Sequence, residues 1–140
     1  MQTLSDIKTG PLFEEITHSI RVGVYTHYLE EQSDPDENKY VWAYQVSISN
    51  EGQETVQLLN RYWHITDSGG EVKEVRGEGV VGECPTLKPG DVYRYTSGTP
   101  LRSPSGFMVG SYGMKNEAGE TFDVAVPSFS LDIPEIRVVN

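Results

Sequence analysis

Gly77-Glu78-Gly79-Val80-Val81-Gly82-Glu83-Cys84-Pro85 is the stretch on which the fold of this chain turns. Its first six residues match the dinucleotide-binding pattern G-x-G-x-x-G. A working fingerprint of that kind needs a buried strand before the glycines and a helix after them, because the pyrophosphate rests on the free N–H groups of the helix N-terminus. No helix is predicted after Gly82. Pro85 follows within three residues, Lys88-Pro89-Gly90 reads as a turn, and no apolar spacing of i, i+3, i+4, i+7 begins before the next strand-like run. The carboxylate that would hold a ribose, about 20 positions further on, would fall near Thr99 to Ser103, where there is none. The glycines are expected instead to serve positive φ, a bulge or a close backbone approach at a sheet edge.

Outward from this run the dominant period is two. Ile16, His18, Ile20, Val22, Val24, Thr26 and Tyr28 form a largely apolar face opposite Thr17, Ser19, Arg21 and His27, which predicts one long first strand. The acidic segment Glu30 to Asn38 is a loop, and Trp42, Tyr44, Val46 and Ile48 resume the alternation as a second strand. Asn50-Glu51-Gly52 turns the chain into a third, aromatic-rich strand over Val56 to Thr66, and Asp67-Ser68-Gly69-Gly70 closes a hairpin. A fourth strand is expected from Glu71 towards Glu78 and a fifth over Val92 to Ser97, broken by Gly98 and Pro100. Phe107 to Met114 and Phe122 to Val126 give two more, with Pro127 ending the last and Phe129, Leu131 and Ile133 packing as a tail over a sheet edge. About seven short antiparallel strands with turn signals every ~8–12 residues specify an all-β sandwich of fibronectin type III or immunoglobulin-like style.

The 140 residues suit one domain able to bury a core without disulfide or metal staples. With 11 Lys+Arg against 21 Asp+Glu the net charge is −10, and the basic residues are scattered, so nucleic acid and anionic membrane surfaces are not expected partners. Cys84 is the sole cysteine, which excludes an intrachain disulfide and a C-x-x-C pair. Neither a secretory signal pattern nor a run of about 20 apolar residues is present, and a cytoplasmic location is expected.

The motifs now carry a resemblance. Leu59-Asn60-Arg61-Tyr62-Trp63-His64-Ile65-Thr66-Asp67, Val75-Arg76-Gly77-Glu78-Gly79-Val80-Val81-Gly82-Glu83, Leu87-Lys88-Pro89-Gly90, Tyr95-Thr96-Ser97-Gly98, Gly110-Ser111-Tyr112 and Pro127-Ser128-Phe129-Ser130-Leu131 resemble, in order, the ApaG family of small bacterial proteins. The domain of that family also occurs fused in some eukaryotic F-box and DNA-polymerase-interacting proteins. The likeness spans about Ile16 to Leu131, with short N- and C-terminal extensions outside it, within a single domain over residues 1–140. It implies a fibronectin-type-III-like sandwich, an association with cobalt resistance and magnesium efflux, and no established enzyme activity.

Residue chemistry points the same way. His18 and His27 differ by an odd number and should face opposite sides of one strand, so they make poor co-ligands, and no cofactor or metal is expected. Asp34-Pro35-Asp36-Glu37-Asn38 opens like a calcium loop, but Lys39 stands where glycine is needed and Gln45 where the bidentate glutamate belongs. No serine lies in a G-x-S-x-G elbow, and the chain is read as non-enzymatic. The candidate ligand- or partner-binding residues are Arg76, Gly77, Gly79, Gly82, Glu83, Tyr95, Thr96 and Ser97. Two functions are carried forward. One is a protein-interaction module whose unidentified protein partner docks on loops and sheet edges with anchors such as Tyr95 and Tyr112. The alternative is weak pyrophosphate or nucleotide binding by N–H groups around Gly77, Gly79 and Gly82, helped by Arg76 or Lys88. An exposed edge strand could also pair isologously into a homodimer.

Overall fold

In the computed structural model, residues 12–133 fold as an all-β sandwich of antiparallel strands. The strands are β1 (Leu12–Thr17), β2 (Ile20–Tyr28), β3 (Tyr40–Asn50), β4 (Val56–Asp67), β5 (Val72–Glu78), β6 (Thr86–Leu87), β7 (Val92–Leu101), β8 (Ser105–Lys115) and β9 (Thr121–Asp132). One sheet has the order β1-β2-β3-β7. The other has the order β5-β4-β8-β9, with β6 also pairing β4. The acidic segment forms two single 3-10 turns, Glu30–Gln32 and Pro35–Glu37, and no α-helix occurs among the described residues.

The fold class is the one the alternation predicts, but the described residues form nine strands rather than about seven, and three boundaries differ. The expected long first strand is two strands. The chain reverses at His18 and Ser19, which hold φ of 49° and 63° without being glycine. This two-residue turn carries no Gly or Asn signal. It also changes which face each residue takes: Thr17 pairs with Ile20 and Ile16 with Arg21, so Ile16 is exposed while Ile20, Val22 and Val24 are buried. His18 consequently sits in a turn, its ring edge-on to Phe122 at 5.2 Å, and the expected opposition of His18 and His27 on one strand does not arise. Second, β7 runs through Gly98 and Pro100 to Leu101, because β7 pairs only with β3 among the described strands and an edge tolerates a residue without an N–H. Third, β9 passes Pro127, where the ladder shifts register between Met108 and Gly110 of β8. The bulge absorbs the proline, and Phe129 and Leu131 become core residues, 1% and 0% exposed, instead of a tail over an edge.

The core lies between the two inner faces: Val22, Val24, Tyr44, Val46 and Ile48 from one sheet meet Leu58, Trp63, Met108, Tyr112, Val126 and Phe129 from the other. Trp63, Tyr44 and Phe129 form an aromatic knot with centroids 5.5–6.0 Å apart. Asn50 ties one end of the sandwich, its amide donating to the carbonyls of Glu54 and Leu87 at 2.7 and 2.9 Å and its oxygen accepting from the Gly52 N–H. The two long sides differ. β1 packs against β9 along one of them, whereas β5 and β7 make no comparable contact along the other, and the candidate residues gather there.

Candidate functional site: the open side between β5 and β7

A bulge decides what faces this side. Val56 and Leu58 point inward, the ladder of β4 with β8 shifts between Leu58 and Asn60, and thereafter the odd positions Trp63 and Ile65 are buried. Arg61 stands opposite Tyr112 of β8 and Gly77 of β5. Directly opposed residues of an antiparallel pair share a face, so Arg61 projects into the sandwich beside the fully buried Tyr112. Its guanidinium lies across Gly77: a Cβ there would come within 2.7 Å of both terminal nitrogens. One terminal nitrogen donates to the carbonyls of Glu78 and Gly79 at 3.1 and 2.9 Å.

The loop that follows is a tight turn. Val80 and Glu83 exchange both backbone hydrogen bonds, at 2.8 and 2.9 Å, across Val81 (φ 40°) and Gly82 (φ 82°). Gly79 has φ 66° and its N–H donates to the Leu59 carbonyl, and a Cβ at Gly79 would strike the Glu83 carbonyl oxygen. Each glycine of the G-x-G-x-x-G run thus has a steric reason: Gly77 makes room for Arg61, Gly79 for the returning backbone, and Gly82 supplies a left-handed turn residue. The N–H groups of Gly79, Val80 and Glu83 are taken by carbonyls within this loop and β4. No helix begins here to present free N–H groups.

Facing Arg61 across the sandwich are side chains of the other sheet. Tyr44 and Ser97 are register partners on β3 and β7, and Tyr95 lies two residues before Ser97 on the same face. The Tyr95 and Tyr112 hydroxyls hydrogen-bond each other, joining the two sheets. Burial pushes the pKa of Tyr112, Tyr95 and Tyr44 upward, the neighbouring Ser97 hydroxyl opposes it at Tyr44, and the Arg61 charge opposes it at all three. Below this group, the Tyr93 hydroxyl donates to the Glu83 carboxylate at 2.8 Å, bridging the turn to β7. Partial burial first, then Glu83, raises the Tyr93 pKa to about 12. Towards the other end the side opens into a cleft of about 430 Å³ between Ile65, Lys73 and Leu101.

The candidates named from sequence therefore separate. Gly77, Tyr95 and Ser97 converge on the open side, and Gly79, Gly82 and Glu83 form its turn. Arg76 points away, its guanidinium 4.6 Å from the centre of the Tyr62 ring on the outer face. Thr96 follows the strand alternation to the outside of β7, and Tyr95 and Tyr112 are core residues, 9% and 0% exposed, so neither is a surface anchor. Arg61 was not among the candidates. Its signal was present in the change of apolar parity from Val56 and Leu58 to Trp63 and Ile65, which only a bulge explains. Among the described residues no group of three His, Cys, Asp or Glu side chains could hold a metal ion, and no helix is long and apolar enough to cross a membrane.

The architecture and the motif order both recur in known proteins. The structure superposes on the crystal structure of the ApaA protein from Bordetella pertussis with a TM-score of 0.81, at 43% identity over 89% of this chain and 97% of that one. Proteins described as ApaG from Mesorhizobium japonicum and Rhodospirillum centenum are each 60% identical over 126 residues, 90% of this chain and 97% of theirs. The family model described as the ApaG domain matches residues 30–116, from the acidic turns to the end of β8. With the glycine turn and strands β3 to β8 inside that match, and relatives 60% identical over nine tenths of the chain, the chain belongs to the ApaG family.

Proposed function

We propose that this ApaG-family protein is a non-enzymatic interaction module that docks a protein partner on the outer face of the sheet β5-β4-β8-β9. The observation that carries this reading is the composition of that face. Register places Val72, Thr66 and Phe107 in one row across β5, β4 and β8, then Glu74, His64 and Val109, then Arg76, Tyr62 and Ser111. Phe107 is 48% and Val72 55% exposed, an unusual placement for large apolar side chains on a sheet facing water. Beside them along the strands Tyr62 donates to Glu74 at 2.6 Å and carries Arg76 on its ring, which sets an apolar row next to a polar one.

The cobalt resistance and magnesium efflux implied by the family resemblance would then act through the partner, in the cytoplasm, rather than through an ion held by this chain. The test is quantitative copurification at native expression, comparing wild type with a Phe107→Asp, Val72→Asp double variant. Because both side chains already face solvent, the variant should keep its fold and lose a specific partner at least tenfold. Equal recovery from both proteins, or no specific partner with either, would overturn the reading.

A further inference from the structure

Arg61 has more donors than the fold uses. A guanidinium carries five N–H bonds. The two on one terminal nitrogen point at the carbonyls of Glu78 and Gly79. The three on Nε and the other terminal nitrogen donate to no described residue, and no described carboxylate forms an ion pair with Arg61. That unoccupied pair of nitrogens is the planar fork that binds two oxygens of one group at once.

The side chains facing it are also donors in excess. The hydroxyls of Tyr44, Ser97, Tyr95 and Tyr112 carry one proton each. The contact of Tyr95 with Tyr112 uses one. Three hydroxyl protons remain, beside a partly buried cation, on the side of the sandwich where β5 and β7 stand apart. The nearby Glu83 carboxylate is engaged by the Tyr93 hydroxyl and not by Arg61. The geometry lacks an acceptor and a negative charge at one place.

We propose that the fork of Arg61 and the hydroxyls of Ser97 and Tyr44 across from it form a binding site for a compact oxyanion, a carboxylate or a phosphate group. This site is distinct from the backbone of the glycine turn, where Gly79, Val80 and Glu83 already donate internally, and from Arg76, which lies on the outer face. In this arrangement Gly77 serves the ligand by leaving space for the guanidinium, and the carbonyls of Glu78 and Gly79 fix the plane of the fork. The net charge of −10 weakens attraction at a distance, but that field is screened over about 10 Å at 0.1 M salt, whereas the guanidinium contact is direct. One bidentate contact supported by one or two hydroxyls corresponds to a Kd on the order of 1 mM.

The experiment is an NMR titration of the full chain, observing the Arg61 Nε–H and the backbone amides, with sodium phosphate and separately sodium acetate at constant ionic strength set by chloride. A saturable shift of the Arg61 Nε–H and the Ser97 amide is expected. The tighter of the two anions identifies the group the site prefers. Ser97→Ala should weaken binding roughly fivefold, the worth of one hydrogen bond, without disturbing the Arg61 contacts, and Arg76→Ala should leave it unchanged. An Arg61 Nε–H unmoved at about 50 mM of either anion, fifty times the expected Kd, would overturn the proposal. So would shifts centred on Arg76 and Lys88, or full affinity in Ser97→Ala.

Discussion

The two long sides of this sandwich are finished by different chemistry. Where β1 meets β9, the join is made of apolar contact and one hydrogen bond: Phe13 lies 6.1 Å from Phe129, and the Ala125 N–H donates to the Thr17 hydroxyl at 3.2 Å. Where β5 and β7 stand apart, Arg61, Ser97 and the phenols of Tyr44, Tyr95 and Tyr112 occupy the gap, and a Tyr93–Glu83 bond bridges it lower down. The closed side uses non-directional burial and tolerates small adjustments. The open side uses directional donors, each of which depends on a particular neighbour. A sandwich can therefore be stable through one side and chemically distinctive through the other.

The comparison breaks most visibly if its apolar half is removed. Phe129 packs on Phe13, Tyr44 and Trp63 at centroid distances of 6.0–6.1 Å. Phe129→Ala should destabilise the protein by about 3–5 kcal/mol, measured by urea unfolding, with no change in the environment of Arg61. On the open side the largest effect is expected from Gly79→Val, since a β-branched residue would have to adopt φ 66° with its Cβ against the Glu83 carbonyl. A loss of about 3 kcal/mol is expected.

Gly77→Ala is subtler. Its methyl group would displace the flexible end of Arg61 from the Glu78 and Gly79 carbonyls, at about 1–2 kcal/mol, and the effect should shrink in an Arg61→Ala background. Equal effects in both backgrounds would show that Gly77 and Arg61 are not coupled.

The polar half should also respond to alkali. Burial holds the pKa values of Tyr44, Tyr95 and Tyr112 above the ordinary 10, so the folded protein keeps protons that the unfolded chain releases. Their contribution is fully present below pH 10 and is lost as pH rises above it, at up to about 1.4 kcal/mol per pH unit for each tyrosine. Tyr112→Phe should flatten this slope in unfolding measurements between neutral and strongly alkaline pH. The smallest effect belongs to the rim. Arg21 and Glu51 pair at 2.7 Å at the surface, and Glu51→Gln should leave the unfolding midpoint near that of wild type in physiological salt.

Much of this fold was legible because alternation survives in single strands. Trp42, Tyr44, Val46 and Ile48 are buried as their spacing implies, and the Asp67 to Gly70 turn lies where its residues place it. The failures share a cause. At His18–Ser19, at Leu59 and at Pro127 the backbone reverses or bulges without the residue that usually marks it, and each event shifts the side-chain parity on which the face assignment depends. The site was legible to the same degree. Gly77, Gly79, Tyr95 and Ser97 belong to recognisable motifs, and the fold places them along the open side. Arg61 escaped because its inward orientation follows from the bulge at Leu59 and not from its own spacing.

From the sequence alone come the all-β class, the rejection of a helix after Gly82, the acidic surface and the family motifs, since each depends on neighbours along the chain. The tertiary structure decided which side of the sandwich stays open, that Tyr95 and Tyr112 meet across it, and that Arg61 rather than Arg76 faces inward. Those outcomes depend on ladder register, and register is set only when strands distant in sequence pair and bury one face.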